Sequence, residues 1–236
     1  MESNSVKTPW EPHMGQAPMR LKYFEGTMYG AVKEATRKYP KYIALDFMGK
    51  STRYSQLLQK IDICANALYS LGIRENDRVT IALPNCPQAV YLFYAINKIG
   101  AVANMAHPLS AEKEIEFYLA ESESVAVITL DRFYDKFINI GKEITLIITS
   151  VQDALSLPMK AGYALTEGRK IKKLPQDSPV IRWRDFLNLG KHNACPTAKR
   201  HSDDPAAILY SGGTTGTTKG IMLSNLNFNA LGMQTI

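Results

Sequence analysis

This sequence is expected to form an α/β protein, a mostly parallel sheet flanked by helices. Three observations carry that expectation. Short apolar runs, Val79–Leu83, Ala101–Met105, Val125–Leu130 and Ile144–Val151, have the length and composition of buried strands. Between them lie segments whose apolar residues recur every three or four positions, as on one face of a helix. Strands separated by helix-length segments pair in parallel, because parallel neighbours need a crossover and the helix supplies it.

Taken in order, residues 1–20 carry Pro9, Pro12 and Pro18 among few aliphatics and read as a surface or disordered arm, which leaves 21–236 as the folded body. Ile43 to Tyr54 reads as a hairpin centred on Gly49-Lys50. Leu57, Leu58, Ile61, Cys64, Ala65, Leu68 and Leu71 then share one helix face, with Gly72 as the stop, so Cys64 is expected in the core rather than in catalysis. After the strand Val79–Leu83, Pro84-Asn85-Cys86-Pro87 turns the chain into a helix that ends at Gly100, with Val90, Phe93, Ile96 and Ile99 on its buried stripe. Ser110 is the expected N-cap of the next helix, Glu112 and Glu114 its favourable first turn and Ile115–Leu119 its body. Phe133 to Ile140 forms a short amphipathic piece before the Ile144–Val151 strand.

Composition narrows the class further. The 236 residues are 45% hydrophobic and 21% charged, room for one large domain or two small ones and far from the pattern of disorder. No apolar stretch approaches the roughly 20 residues that span a bilayer. The N-terminal segment shows no positive cluster followed by a hydrophobic region, so a cytoplasmic protein is expected. Cys64, Cys86 and Cys195 form no CxxC pair, which argues against a disulfide framework or a zinc ribbon. The net charge of +6 is local: Lys160 to Arg200 holds ten Lys and Arg against three acids, leaving 18 bases and 19 acids elsewhere. With three prolines and three glycines, that stretch reads as a long solvated surface connection. It has neither evenly spaced basic residues nor aromatic-basic alternation, so no nucleic-acid partner is expected.

One loop carries chemistry. The run Ala206–Tyr210 reads as a strand and leads directly into Ser211-Gly212-Gly213-Thr214-Thr215-Gly216-Thr217-Thr218-Lys219-Gly220, after which Ile221-Met222-Leu223 resumes. Glycines let backbone N–H groups approach an anion, hydroxyls add neutral donors, and the lysine adds a mobile positive charge, a combination suited to polyphosphate. In open α/β sheets such sites lie outside the carboxyl ends of strands. A Walker A loop fails here, since Thr218 precedes and Gly220 follows Lys219, and a dinucleotide fingerprint fails on glycine spacing.

Tyr210, Gly213, Thr214, Thr215, Gly216, Lys219, Gly220 and Ser224 fall where the signature of the adenylate-forming (AMP-binding) superfamily has the same residues, and the loop resembles that signature. It departs at Gly212, where serine is usual, at Thr218, where proline is usual, and at Asn225, where histidine is usual. Upstream, Thr52–Leu57, Gly72-Ile73 with Asp77–Val79, Lys98–Val102 and Glu114 through Asp131 also look like the family, so the similarity spans residues 25–151 and 203–232.

The resemblance implies the N-terminal part of the large domain of an adenylate-forming enzyme, ending just after its phosphate loop. By resemblance the activity is that of an acid–thiol ligase, an acyl-CoA synthetase. ATP and a carboxylic acid, expected to be a fatty acid, give an acyl-adenylate, and coenzyme A then takes the acyl group, with Mg²⁺ as cofactor. Ser211, Gly212, Gly213, Thr214, Thr215, Gly216, Thr217, Thr218 and Lys219 would hold the phosphates, with Lys219 as the point charge on the departing pyrophosphate. The metal ligands are left open. The family's adenine, ribose and late-lysine segments lie beyond the loop, so this polypeptide alone is expected to be inactive and, with a cut sheet, to self-associate. An amino-acid or aryl-acid adenylation domain is the alternative within the family. A non-catalytic nucleotide-binding module is the alternative outside it. His192, Cys195 and His201 match no common zinc spacing, and His107 is expected to be structural or exposed.

Overall fold

The computed structural model describes residues 21–140, 144–211 and 218–235, together with Pro9, His13 and Gly15. The arm expected over residues 1–20 therefore lies almost entirely outside the described residues. The first element is a helix absent from the expectations above, α1 (Met28–Lys38). A two-stranded antiparallel hairpin follows, β1 (Ile43–Phe47) and β2 (Lys50–Arg53), with Phe47 opposite Lys50 across the Met48-Gly49 turn. Next come α2 (Tyr54–Ser70), β3 (Arg78–Ala82), α3 (Pro87–Lys98), β4 (Val102–Met105), α4 (Glu112–Glu121), β5 (Ser124–Leu130), α5 (Tyr134–Ile140) and β6 (Thr145–Thr149). The chain continues through α6 (Leu157–Leu165), β7 (Ile181–Arg182), α7 (Trp183–His192), β8 (Pro205–Ser211), β9 (Lys219–Ser224) and α8 (Asn225–Gln234).

Seven strands make one sheet in the order β7-β6-β5-β3-β4-β8-β9, parallel throughout except for the β8–β9 pair. The alternation of the strands divides its two faces. Val79 and Ile81 of β3, Ile128 of β5 and Ile147 of β6 join a core with Ile61, Cys64 and Leu68 of α2 and with Leu92 and Ile96 of α3. Val127, Leu146 and Ile148 point the other way, onto Ile115 and Leu119 of α4 and Phe137 of α5. Covered on both faces, these strands can be apolar on either side, which is why they appear in the sequence as near-continuous apolar runs, interrupted by buried threonines such as Thr80 and Thr129. Among the described residues no helix is long and apolar enough to cross a membrane.

Two expectations are corrected. Ser110 is not the N-cap of α4: its N–H bonds back to the His107 carbonyl in a turn, and Ala111 takes the cap position, its N–H donating to the Glu114 carboxylate at 3.2 Å. The stretch from Lys160 to Arg200 is not simply a solvated connection. It contributes the edge strand β7 and helix α7, whose Trp183 and Phe186 are buried and stack at 5.2 Å between ring centroids. Helix α7 lies so close to α2 that a Cβ on Gly190 would overlap the Ile63 carbonyl oxygen, so only glycine fits. Trp183, Phe186, Leu187 and Gly190 stand at three- and four-residue spacing, a signal that the surrounding basic residues hide.

Candidate functional site

Because β8 runs parallel to β4, with Ala103 opposite Ala207 and Met105 opposite Leu209, its carboxyl end opens at the same edge of the sheet as those of β3, β4, β5 and β6. Beyond it the chain reverses into β9, and Ser211 pairs with Lys219 across the start of the loop. Ser211 and Lys219 are exposed there and Thr218 is half-buried beside them. Gly212, Gly213, Thr214, Thr215, Gly216 and Thr217 lie outside the described residues.

Three anchors fix this hairpin. Tyr210, one residue before Ser211, stacks on Tyr118 of α4 with centroids 3.9 Å apart and planes at 22°, and its hydroxyl donates to the Tyr118 carbonyl at 3.1 Å. Burial raises the Tyr210 phenol above its ordinary range, so it stays a neutral donor. Gly220 crosses this ring: a Cβ there would sit 3.2 Å from Ile208 and 3.3 Å from Tyr210.

The third anchor is Asn225, the residue at the position where the resembled signature has histidine. It is 1% exposed at the start of α8. Its Oδ1 accepts from the Met28 N–H at 3.0 Å and from Asn97 Nδ2 at 2.7 Å, and its Nδ2 donates to the carbonyls of His201 at 3.1 Å and Asp204 at 3.2 Å. Asn97 Oδ1 accepts from the Tyr29 N–H at 2.9 Å, and Thr27 takes the Gly30 and Ala31 N–H groups. The three free N–H groups of the first turn of α1, those of Met28, Tyr29 and Gly30, are thereby satisfied, two of them by side chains of α8 and α3. Asn225 is thus a tie between three helices and the turn before β8. Nothing in the residue pattern alone announced it, since its partners are as much as 197 residues away.

Beside the hairpin runs an apolar groove of about 510 Å³ between β1, the start of α3, the ends of β4 and β8, and α8. Phe47, Val90, Phe93, Met105, Leu209 and Phe228 line it, with Asp46 its one acid among the described residues. Leu209 is two positions before Ser211, so the groove opens next to the start of the loop. Phe93 and Phe228 meet edge to face at 5.4 Å and hold its floor. Phe93, expected on the buried stripe of α3, also faces this groove, as does Tyr94 beside it.

The remaining candidates separate. His107 is exposed, its Nδ1 accepting from the Leu109 N–H at 3.3 Å. Cys64 is fully buried in the core, and burial pushes its thiol far up. Among the described residues no group of three or more His, Cys, Asp or Glu side chains could hold a metal ion, so His192, Cys195 and His201 form no such cluster.

Comparison with known proteins follows this geometry. The chain is 29% identical over 229 residues to a long-chain-fatty-acid–CoA ligase of Bacillus subtilis (strain 168), covering 94% of this chain and 41% of that one. It is 30% identical over 186 residues to a crotonobetaine/carnitine–CoA ligase of Shigella flexneri serotype 5b (strain 8401), covering 78% and 33%. The chain therefore spans well under half the length of these relatives. Its fold matches the crystal structure of a benzoate CoA ligase from Burkholderia xenovorans LB400 at a TM-score of 0.64 and 18% identity, over 84% of this chain and 34% of that one. The family model described as AMP-binding enzyme matches residues 32–235, and the chain belongs to that family.

Proposed function

We propose that the whole protein is an ATP-dependent acid–thiol ligase that activates a fatty acid as its acyl-adenylate and passes the acyl group to coenzyme A. The carboxylate oxygen attacks the α-phosphorus of ATP, the bond to the β-phosphate breaks, and pyrophosphate leaves. The thiol sulfur then attacks the acyl carbon and AMP leaves. The observation that carries this reading is the adjacency of the apolar groove to the hairpin that sets Ser211 opposite Lys219. An apolar acyl chain lies in such a groove with its carboxylate toward the loop, where the opposing problem is the meeting of two anions.

In this reading Lys219 and the hydroxyl and N–H donors of Ser211, Gly212, Gly213, Thr214, Thr215, Gly216, Thr217 and Thr218 hold the phosphates and take up charge as pyrophosphate departs. Magnesium, when bound, neutralises phosphate oxygens. It would be held mainly by the substrate phosphates, as magnesium is in nucleotide sites. The three cysteines are free, as in a reducing compartment, which supports the cytoplasm as the place of action.

Acid-dependent exchange of pyrophosphate into ATP tests the reading across fatty, aryl and amino acids. It is measured on the 236-residue chain and on any longer product of the same reading frame. The expected result is no exchange by the 236-residue chain and fatty-acid-dependent exchange by the longer protein. Exchange by the short chain overturns its inactivity, and a preference for amino or aryl acids overturns the fatty substrate. In the longer protein Lys219→Ala is expected to weaken ATP binding about tenfold; unchanged affinity overturns the phosphate role.

A further inference from the structure

Four of the ten basic residues between Lys160 and Arg200 converge on one cavity. It lies beyond the carboxyl ends of β5, β6 and β7, has a volume of about 740 Å³, and is lined by Lys172, Lys173, Arg182 and Arg184 with the neutral donors Gln152 and Tyr163. Asp131, directly after β5, is the one acid among the described lining residues. Lys172, Lys173 and Arg184 are exposed at its rim, and Arg182 is half-buried.

The cations are also placed. Arg182 is the last residue of β7, and its Nη2 donates to the carbonyls of Leu174 at 3.3 Å and Pro175 at 2.9 Å, which fixes the guanidinium plane while leaving its charge uncancelled. Arg184 stands in the first turn of α7, 3.6 Å from Asp185 but 88% exposed, a pairing that water screens strongly. Lys172 shares its charge with Asp135 at 3.4 Å, again at the surface. Lys173 has no acidic partner among the described residues.

We propose that this cavity is a second anion site, which takes a small molecule carrying two or more phosphate groups. Its volume is that of an ordinary small-molecule site, about 300–1,000 Å³, and two lysines with a fixed arginine fork are the donors that phosphate oxygens prefer. The site is distinct from the β8–β9 hairpin. Strands β3 and β4 stand between β5 and β8, so the two lie three strand spacings apart, about 14 Å, too far for one pyrophosphate to touch both. The inference does not rest on the proposed adenylation.

Calorimetric titration of the 236-residue chain with inorganic pyrophosphate, ATP and coenzyme A, each separately, identifies the source of the phosphates. Lys173→Glu with Arg184→Glu is compared with Lys191→Glu with Lys199→Glu, an equal change of charge at exposed residues outside the cavity. The first pair is expected to weaken binding of at least one probe about tenfold, while the second pair changes it by less than about twofold. All four substituted residues of the two pairs are exposed, and unchanged thermal unfolding verifies that the fold is kept. Binding that is absent for all three probes, unaffected by the first pair, or weakened equally by the second pair overturns the proposal. Loss confined to Lys219→Ala also overturns it and leaves the hairpin reading standing.

Discussion

The parallel body of the sheet and the β8–β9 hairpin at its edge are made from the same kinds of residue and end in opposite surroundings. Val79 and Ile81 of β3 are fully buried, whereas Ile221 and Met222 of β9 are 47% and 69% exposed. In the body, helices cover both faces, and apolar packing decides where each strand lies. At the edge, Lys219 to Met222 are exposed in sequence, and position comes from the ladder to β8 and from the contacts of Tyr210 and Asn225. The part of the molecule proposed to hold chemistry is therefore held by a few directional contacts, and the part that holds the fold by area.

The largest expected effect tests the packed side of that contrast. Ile61, on the inner face of α2, is fully buried among β3 and α3 residues. Replacing it with alanine removes buried methylenes and leaves a cavity, and a loss of about 3 kcal/mol is expected from urea unfolding. A loss below about 1 kcal/mol would mean that the face is loosely packed and would dissolve the contrast.

The same difference governs what could be read beforehand. The strands of the body were legible because Val79–Leu83 and Val125–Leu130 are apolar at all positions but Thr80 and Thr129, a pattern that suits strands covered on both faces. The phosphate role proposed for the loop rests on residue types, Gly, Ser, Thr and Lys, rather than on their neighbours. Helix α1 was not, since its buried residues are Met28, Tyr29, Val32 and Thr36, a stripe diluted by two hydroxyl-bearing side chains. Helix α7 was not, because Arg184, Asp185 and Lys191 surround Trp183, Phe186 and Gly190. The apolar groove is assembled from β1, α3, β4, β8 and α8, and no single window of sequence contains it.

Asn225 gives the next effect, on the directional side. Asn225→Ala leaves the Met28 N–H and the Asn97 amide without an acceptor in a buried place, and a loss of about 2 kcal/mol is expected in the same unfolding measurement. Asn225→His, which restores the residue usual in the resembled signature, is expected to recover little. A neutral imidazole offers one donor and one acceptor, whereas the asparagine accepts two hydrogen bonds and donates two here. Full recovery by histidine would show that shape rather than hydrogen bonding places α1 against α8.

The smallest expected change in stability carries the sharpest reading of the edge. Met222 is the most exposed residue of the β9 apolar run, and β9 has a neighbour on one side only in the sheet order. Met222→Lys is expected to alter unfolding by less than about 0.5 kcal/mol. An edge strand whose outer backbone groups are unpaired is a template for another strand, and a lysine there opposes such pairing. Sedimentation of the two proteins over a range of concentrations is therefore expected to show less association for the variant at unchanged stability. If Met222→Lys instead destabilises the monomer by more than about 1 kcal/mol, the hairpin is packed like the body, and the division between a chemistry held by contacts and a fold held by area fails at the strand that borders the loop.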